Sequence, residues 1–127
     1  MSIPFNPDEG LVVVPARLSG PNGTSVVRLA LDTGATATLV NWDVLMALGY
    51  NLVPTAARVR ITTGSGVEFA PQIVIQKIEA LGEWKNEFAV LCHTLPPSAS
   101  VDGLLGLDFF RGQRLILDFR NGTVAVD

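Results

Sequence analysis

A chain of 127 residues, 48% hydrophobic and 17% charged, has the size of one ordinary domain and enough apolar side chain for a core, which sets aside intrinsic disorder and a multi-domain assembly. The net charge is −3 and the nine Lys and Arg residues are scattered, so no basic footprint points to nucleic acid. Gly, Pro or charge interrupts each apolar stretch before it reaches the length of a membrane segment, and a lone Cys92 leaves no internal disulfide and no Cys/His zinc site.

We therefore expect residues 1–127 to form a single domain. Met1 to Gly10 carries no basic n-region and includes Asp8 and Glu9, so it does not read as a secretory signal. With the lone cysteine, this makes a cytoplasmic setting the expectation. Met1 to Glu9, with Pro4 and Pro7, is left open between a loose segment and one that joins an interface. Leu11 to Leu18 is rich in Val and Ser25 to Leu31 alternates in part. The turn cluster Ser19-Gly20-Pro21-Asn22-Gly23-Thr24 between them predicts a hairpin.

Asn41 is placed to cap a helix with apolar Trp42, Leu45, Met46 and Leu48 at helical spacing, and Gly49 to stop it. Val53 to Thr63, Val67 to Ile78, Glu83 to Leu91, Leu115 to Phe119 and Thr123 to Val126 read as strands. Asn121-Gly122 predicts a two-residue hairpin turn. A second short helix, about Leu107 to Gly112, follows Gly106, with Asp108 suiting its positive end. Many short strands and two brief helices predict a mainly-β, barrel-like domain.

The chemistry concentrates in Leu29-Ala30-Leu31-Asp32-Thr33-Gly34-Ala35, where an apolar strand delivers an acid to a Gly-containing turn. Rigid backbone holds such a carboxylate at the surface, and Gly34 lets another chain approach. The plainer reading is a turn in which Asp32 only bonds its own backbone. Further along come Thr62-Thr63-Gly64-Ser65-Gly66, flanked by strand candidates, and then Leu104-Leu105-Gly106 leading into Leu107-Asp108-Phe109-Phe110.

In that order and at those distances, the motifs resemble the retropepsin-like aspartic proteases, over roughly residues 11 to 119. The helix at Asn41 to Leu48 is closer to cellular and bacterial members than to viral ones. The resemblance implies a closed β-barrel-like acid-protease fold and a peptide or protein substrate, with no cofactor and no metal. Asp32 would be the catalytic carboxylate, Thr33 a brace across a two-fold axis, and Gly34 and Ala35 the lining of the site. Gly64, Ser65 and Gly66 would form the tip of a flap over the bound peptide. Only one Asp-Thr-Gly is present, whereas the chemistry needs two carboxylates sharing one proton. The partner is therefore expected to be a second copy, in a symmetric homodimer.

Other groups carry blander readings. Cys92 and His93 adjoin the Glu83 to Leu91 candidate; neighbours on a strand point to opposite faces, so they read as a buried Cys and a strand-end His rather than a thiol pair. Asp102, Asp108 and Asp118 lack metal-loop spacing and read as turn or helix-start residues. Trp42 and Trp84 read first as core and second as ligand-stacking rings, and Leu31, Leu105, Ile61 and Val67 first as core and second as pocket wall. Arg111 and Arg114 read as solvated, or as paired with acids such as Asp108. Two alternatives stand beside the enzyme: a retropepsin-like homodimer used for binding or assembly, and an unrelated small barrel with a chance motif.

Overall fold

The computed structural model describes residues 1–51, 58–63 and 66–127, with backbone alone for 58–63, 66–68 and 97. A short strand, Ser2–Pro4 (β1), precedes the predicted hairpin of Val13–Gly20 (β2) and Gly23–Leu31 (β3). In β2, Val14, Ala16 and Leu18 alternate inward with exposed Pro15 and Arg17 outward, so a one-residue slip would turn the core side chains into water. Register is fixed accordingly, from Val13 opposite Ala30 to Gly20 opposite Gly23.

Leu39–Asn41 (β4) runs straight into the helix Trp42–Ala47 (α1), where the Asn41 side chain accepts from the Asp43 amide and Leu45 is buried. The strands Arg58–Thr63 (β5), Gly66–Ala80 (β6) and Glu83–His93 (β7) follow, then Gly103–Leu105 (β8), the helix Leu107–Phe110 (α2), Leu115–Asp118 (β9) and Thr123–Val126 (β10).

Six strands close a ring in the order β2-β3-β8-β4-β7-β6, sealed by β2 against β6. Closure removes the free edges that an open sheet leaves exposed. The 15 residues of β6 make this possible, because different stretches pair with β5, β7 and β2. Where the β2–β6 ladder ends at Ser19 and Lys77, the Tyr50 hydroxyl continues the seam. It donates to the Ser19 carbonyl at 2.6 Å and accepts from the Gln76 amide at 2.8 Å.

A second sheet, β1-β10-β9, turns Val124 and Val126 into the same core, with Ile3, Leu115 and Leu117 packed against it. Leu18, Leu29, Leu45, Ile75, Ile78, Leu105 and Phe109 are fully buried. Each contributes about 1.5–3 kcal/mol of transfer free energy.

Several expectations change. The start of the chain is not loose, since Ser2 to Pro4 pairs antiparallel with β10. Three-residue strands such as β1, β4 and β8 are too short to carry a period. Asn121-Gly122 does not form a two-residue turn: Asp118 pairs with Thr123, so the loop spans 119–122. Asp118 builds that loop, its carboxylate accepting from the Arg120 and Asn121 amides and from the Asn121 side chain. Trp84 is 60% exposed rather than core, with the Lys77 ammonium 5.7 Å from its ring. Trp42 does pack against the core.

Candidate active site

The last residue of β3 is Leu31, and its parallel partner on β8 is Leu105. The Leu31 amide donates to the Val12 carbonyl at 2.8 Å and the Asp32 amide to the Leu105 carbonyl at 3.0 Å. The backbone that carries the Asp32 side chain is thus tied on both flanks by ladder bonds from distant parts of the chain. Beyond it the chain turns sharply. Ala35 donates to the Asp32 carbonyl at 3.1 Å, and the Gly34 amide to Asp32 Oδ1 at 2.9 Å. Among the described residues nothing bonds Oδ2. Asp32 is half-buried, Thr33 and Gly34 are exposed and Ala35 is half-buried, so the corner presents an oriented carboxylate to the outside of the chain.

The turn is held from behind by α2. Leu107 donates to the Ala35 carbonyl at 2.9 Å. Thr38, which is fully buried, gives its hydroxyl proton to Asp108 Oδ1 at 2.7 Å and its amide to Asp108 Oδ2 at 2.9 Å. The same hydroxyl accepts from the Gly106 amide at 3.1 Å. A buried hydroxyl without partners costs about 1–3 kcal/mol, so its two bonds, with the third from the Thr38 amide, turn a liability into a clamp.

Two glycines permit the approach. A Cβ on Gly106 would lie 2.6 Å from the Ala37 carbonyl carbon, and one on Gly103 would fall on the Leu39 carbonyl oxygen. The loop after Asp32 and the Leu104-Leu105-Gly106 segment are therefore packed backbone to backbone.

Sequence reasoning missed Thr38 and gave Asp108 a helix-start role or an arginine partner. The available signal was a polar residue just ahead of the apolar pair Leu39-Val40, a position the barrel buries. Asp108 does not pair with an arginine: Arg114 lies on Asp127, at 2.6 Å. Asp102 accepts from the Arg28 amide at 2.8 Å, a structural bond between β3 and the approach to β8.

Gly64 and Ser65 lie outside the described residues; Gly66 opens β6 opposite Thr63. Of the residues set down as core or pocket wall, Leu105 is fully buried and Leu31 packs against the core. The side chains of Ile61 and Val67 lie outside the described set. Burial pushes the Cys92 thiol up to about 11, which leaves it protonated and a poor nucleophile at neutral pH. Adjacent His93 has its Nδ1 2.9 Å from the Thr94 carbonyl. Among the described residues no group of three His, Cys, Asp or Glu is placed to hold a metal, and no helix is long and apolar enough to cross a membrane.

Residues 14–109 match the family model described as aspartyl protease, a span that holds both the Asp32 turn and the Leu104-Leu105-Gly106 segment clamped behind it. The chain belongs to the aspartyl protease family. Its fold is that of the retropepsin-like branch. It superposes with a TM-score of 0.70 on the crystal structure of a retropepsin-like aspartic protease from Rickettsia conorii, at 17% identity, covering 100% of this chain and 92% of that one. No curated protein matches the chain. The matched span thus includes an oriented carboxylate on backbone that is held from both flanks.

Proposed function

We propose that this protein is an aspartic endopeptidase that hydrolyses peptide bonds as a homodimer, each copy supplying one Asp32. The observation that carries this reading is the single Asp32 corner, clamped from behind and open in front, in a chain with only one Asp-Thr-Gly. Two such corners facing each other across a two-fold axis bring two carboxylates to one water. Like charges at that distance do not both ionise, so the pair holds one proton.

The unprotonated Asp32 takes a proton from the water as its oxygen attacks the scissile carbonyl carbon. The protonated Asp32 of the other copy gives its proton to the carbonyl oxygen. The tetrahedral diol then collapses: the C–N bond breaks, the departing nitrogen takes a proton from the carboxyl that received one from the water, and the other Asp32 takes back a proton from a diol hydroxyl, so the pair again holds one proton. Thr33, exposed beside Asp32, braces the two turns across the axis, while Gly34 and Ala35 line the floor. The hairpin of β5 and β6 covers the bound peptide. An extended peptide pairs its backbone with strand edges and is sorted by its side chains.

Mixing wild type with Asp32→Asn protein tests the shared site. A growing excess of the variant should draw wild-type chains into heterodimers and lower peptide cleavage per wild-type chain toward zero. Cleavage that stays proportional to wild-type chain, whatever the excess, would show that one copy suffices and defeat the proposal.

A further inference from the structure

Two adjoining depressions of about 270 and 280 Å3 lie along the outer face of the β2–β3 hairpin and share Glu9, Leu11, Val13 and Arg28. One extends toward Pro15 and the other toward Val101. Together they make one groove with apolar walls and two charges. Arg28 is exposed and makes no ion pair with any described residue. Glu9 sits on the segment leading into β2, with the Asn6 amide nitrogen 3.5 Å away.

The groove is continuous with the catalytic strand. Val12, between Leu11 and Val13, accepts the amide of Leu31, one residue before Asp32. Asp102, next to Val101, bonds both the amide and the carbonyl of Arg28 at 2.8 Å. From Arg28 to Asp32 is four strand residues, roughly 13 Å at about 3.3 Å per residue, and an extended peptide has nearly the same rise.

We propose that this groove is an outlying substrate subsite in which Arg28 takes an acidic side chain about four residues from the scissile bond. Leu11, Val13 and Pro15 hold the apolar neighbours of that acid. The inference rests on the peptidase reading above and adds a substrate class to it. An unpaired guanidinium in a partly apolar groove is matched by one carboxylate, with which it forms two parallel hydrogen bonds. Glu9 sets the other limit: it repels a second acid, so the preferred sequence carries a single Asp or Glu among apolar residues rather than an acidic run.

The test separates binding from turnover. Asp32→Asn protein is titrated with labelled ten-residue peptides that differ only in carrying Asp or Lys at each distal position in turn, read by fluorescence anisotropy. At one position the Asp peptide should bind on the order of fivefold more tightly, the size expected of a partly exposed ion pair. Arg28→Glu in the same background should invert the order, and Arg28→Gln, which places no second carboxylate near Asp102, should abolish it.

In otherwise wild-type protein, both Arg28 variants should cleave peptides too short to reach the groove at the wild-type rate, within about twofold. Equal binding of the Asp and Lys peptides, or a preference unchanged by Arg28→Glu, overturns the subsite. So does an equal loss on short peptides, which would place Arg28 in the fold or the chemistry. If wild type cleaves no peptide while the charge preference and its inversion persist, the peptidase reading fails and the groove stands as a peptide-binding site.

Discussion

Asp118 ends a strand and Asp32 directly follows one, and each uses its carboxylate to receive backbone amide protons from the turn beyond it. Their surroundings differ. Asp118 is used up locally: Oδ1 accepts from Arg120 and Asn121, Oδ2 accepts from the Asn121 side chain at 2.7 Å, and every partner lies within three residues. Asp32 receives one amide at Oδ1 and leaves Oδ2 unbonded among the described residues. Its backbone, by contrast, is fixed by Leu105, far along the chain. An aspartate whose oxygens are consumed by its own loop is a structural device. One held by remote ladders with an oxygen to spare is the one for which we propose a chemical role.

The sharpest way to break this comparison is to neutralise both carboxylates separately. Asp32→Asn should abolish peptide cleavage, by a thousandfold or more, while leaving the thermal midpoint nearly unchanged. Asp118→Asn should leave kcat/KM within about twofold and lower the midpoint slightly. Equal kinetic effects would mean that the two turns do not differ in role.

The clamp behind Asp32 comes next. Gly103→Ala drives a methyl onto the Leu39 carbonyl oxygen, and backbone cannot yield as a flexible side chain would, so we expect a loss of about 3 kcal/mol. Thr38→Val keeps the shape but leaves Asp108 Oδ1 and the Gly106 amide without their partner, at a cost of about 2 kcal/mol. Urea unfolding measures both. A change under about 0.5 kcal/mol at either position would show that the corner is not held in this way.

The smallest effect depends on pH. Hydrogen bonds from the Asn121 amide and side chain hold the Asp118 carboxyl below the usual carboxylate range. A folded-state value depressed in this way stabilises the protein fully above the unfolded value, near pH ~4, and that contribution fades as pH falls through the folded one. The difference in thermal midpoint between wild type and Asp118→Asn should therefore be constant from pH 7 to about 5 and shrink toward pH 3. A difference that grows on acidification has the wrong sign for this bond.

The sequence by itself determined the hairpin of β2 and β3, the cap at Asn41, the placement of Asp32 at a strand end and the strand Thr123–Val126. All of these rest on signals within about ten residues: alternation, a capping side chain, a dense turn cluster. The whole-chain order of motifs also pointed to the closed barrel. Three kinds of feature were decided only in three dimensions. The strands β1, β4 and β8 have three residues each and exist because neighbouring strands supply their hydrogen bonds. The Asn121-Gly122 pair was overruled by a stronger local competitor, the Asp118 carboxylate, which organises a longer loop. The Thr38–Asp108 clamp joins residues 70 apart; a polar residue ahead of Leu39-Val40 marks the place, but only the closing of a six-stranded ring sets its buried hydroxyl beside a carboxylate. Local chemistry writes the turns; which polar groups must find each other is settled by closure, because closure alone decides which of them lose water.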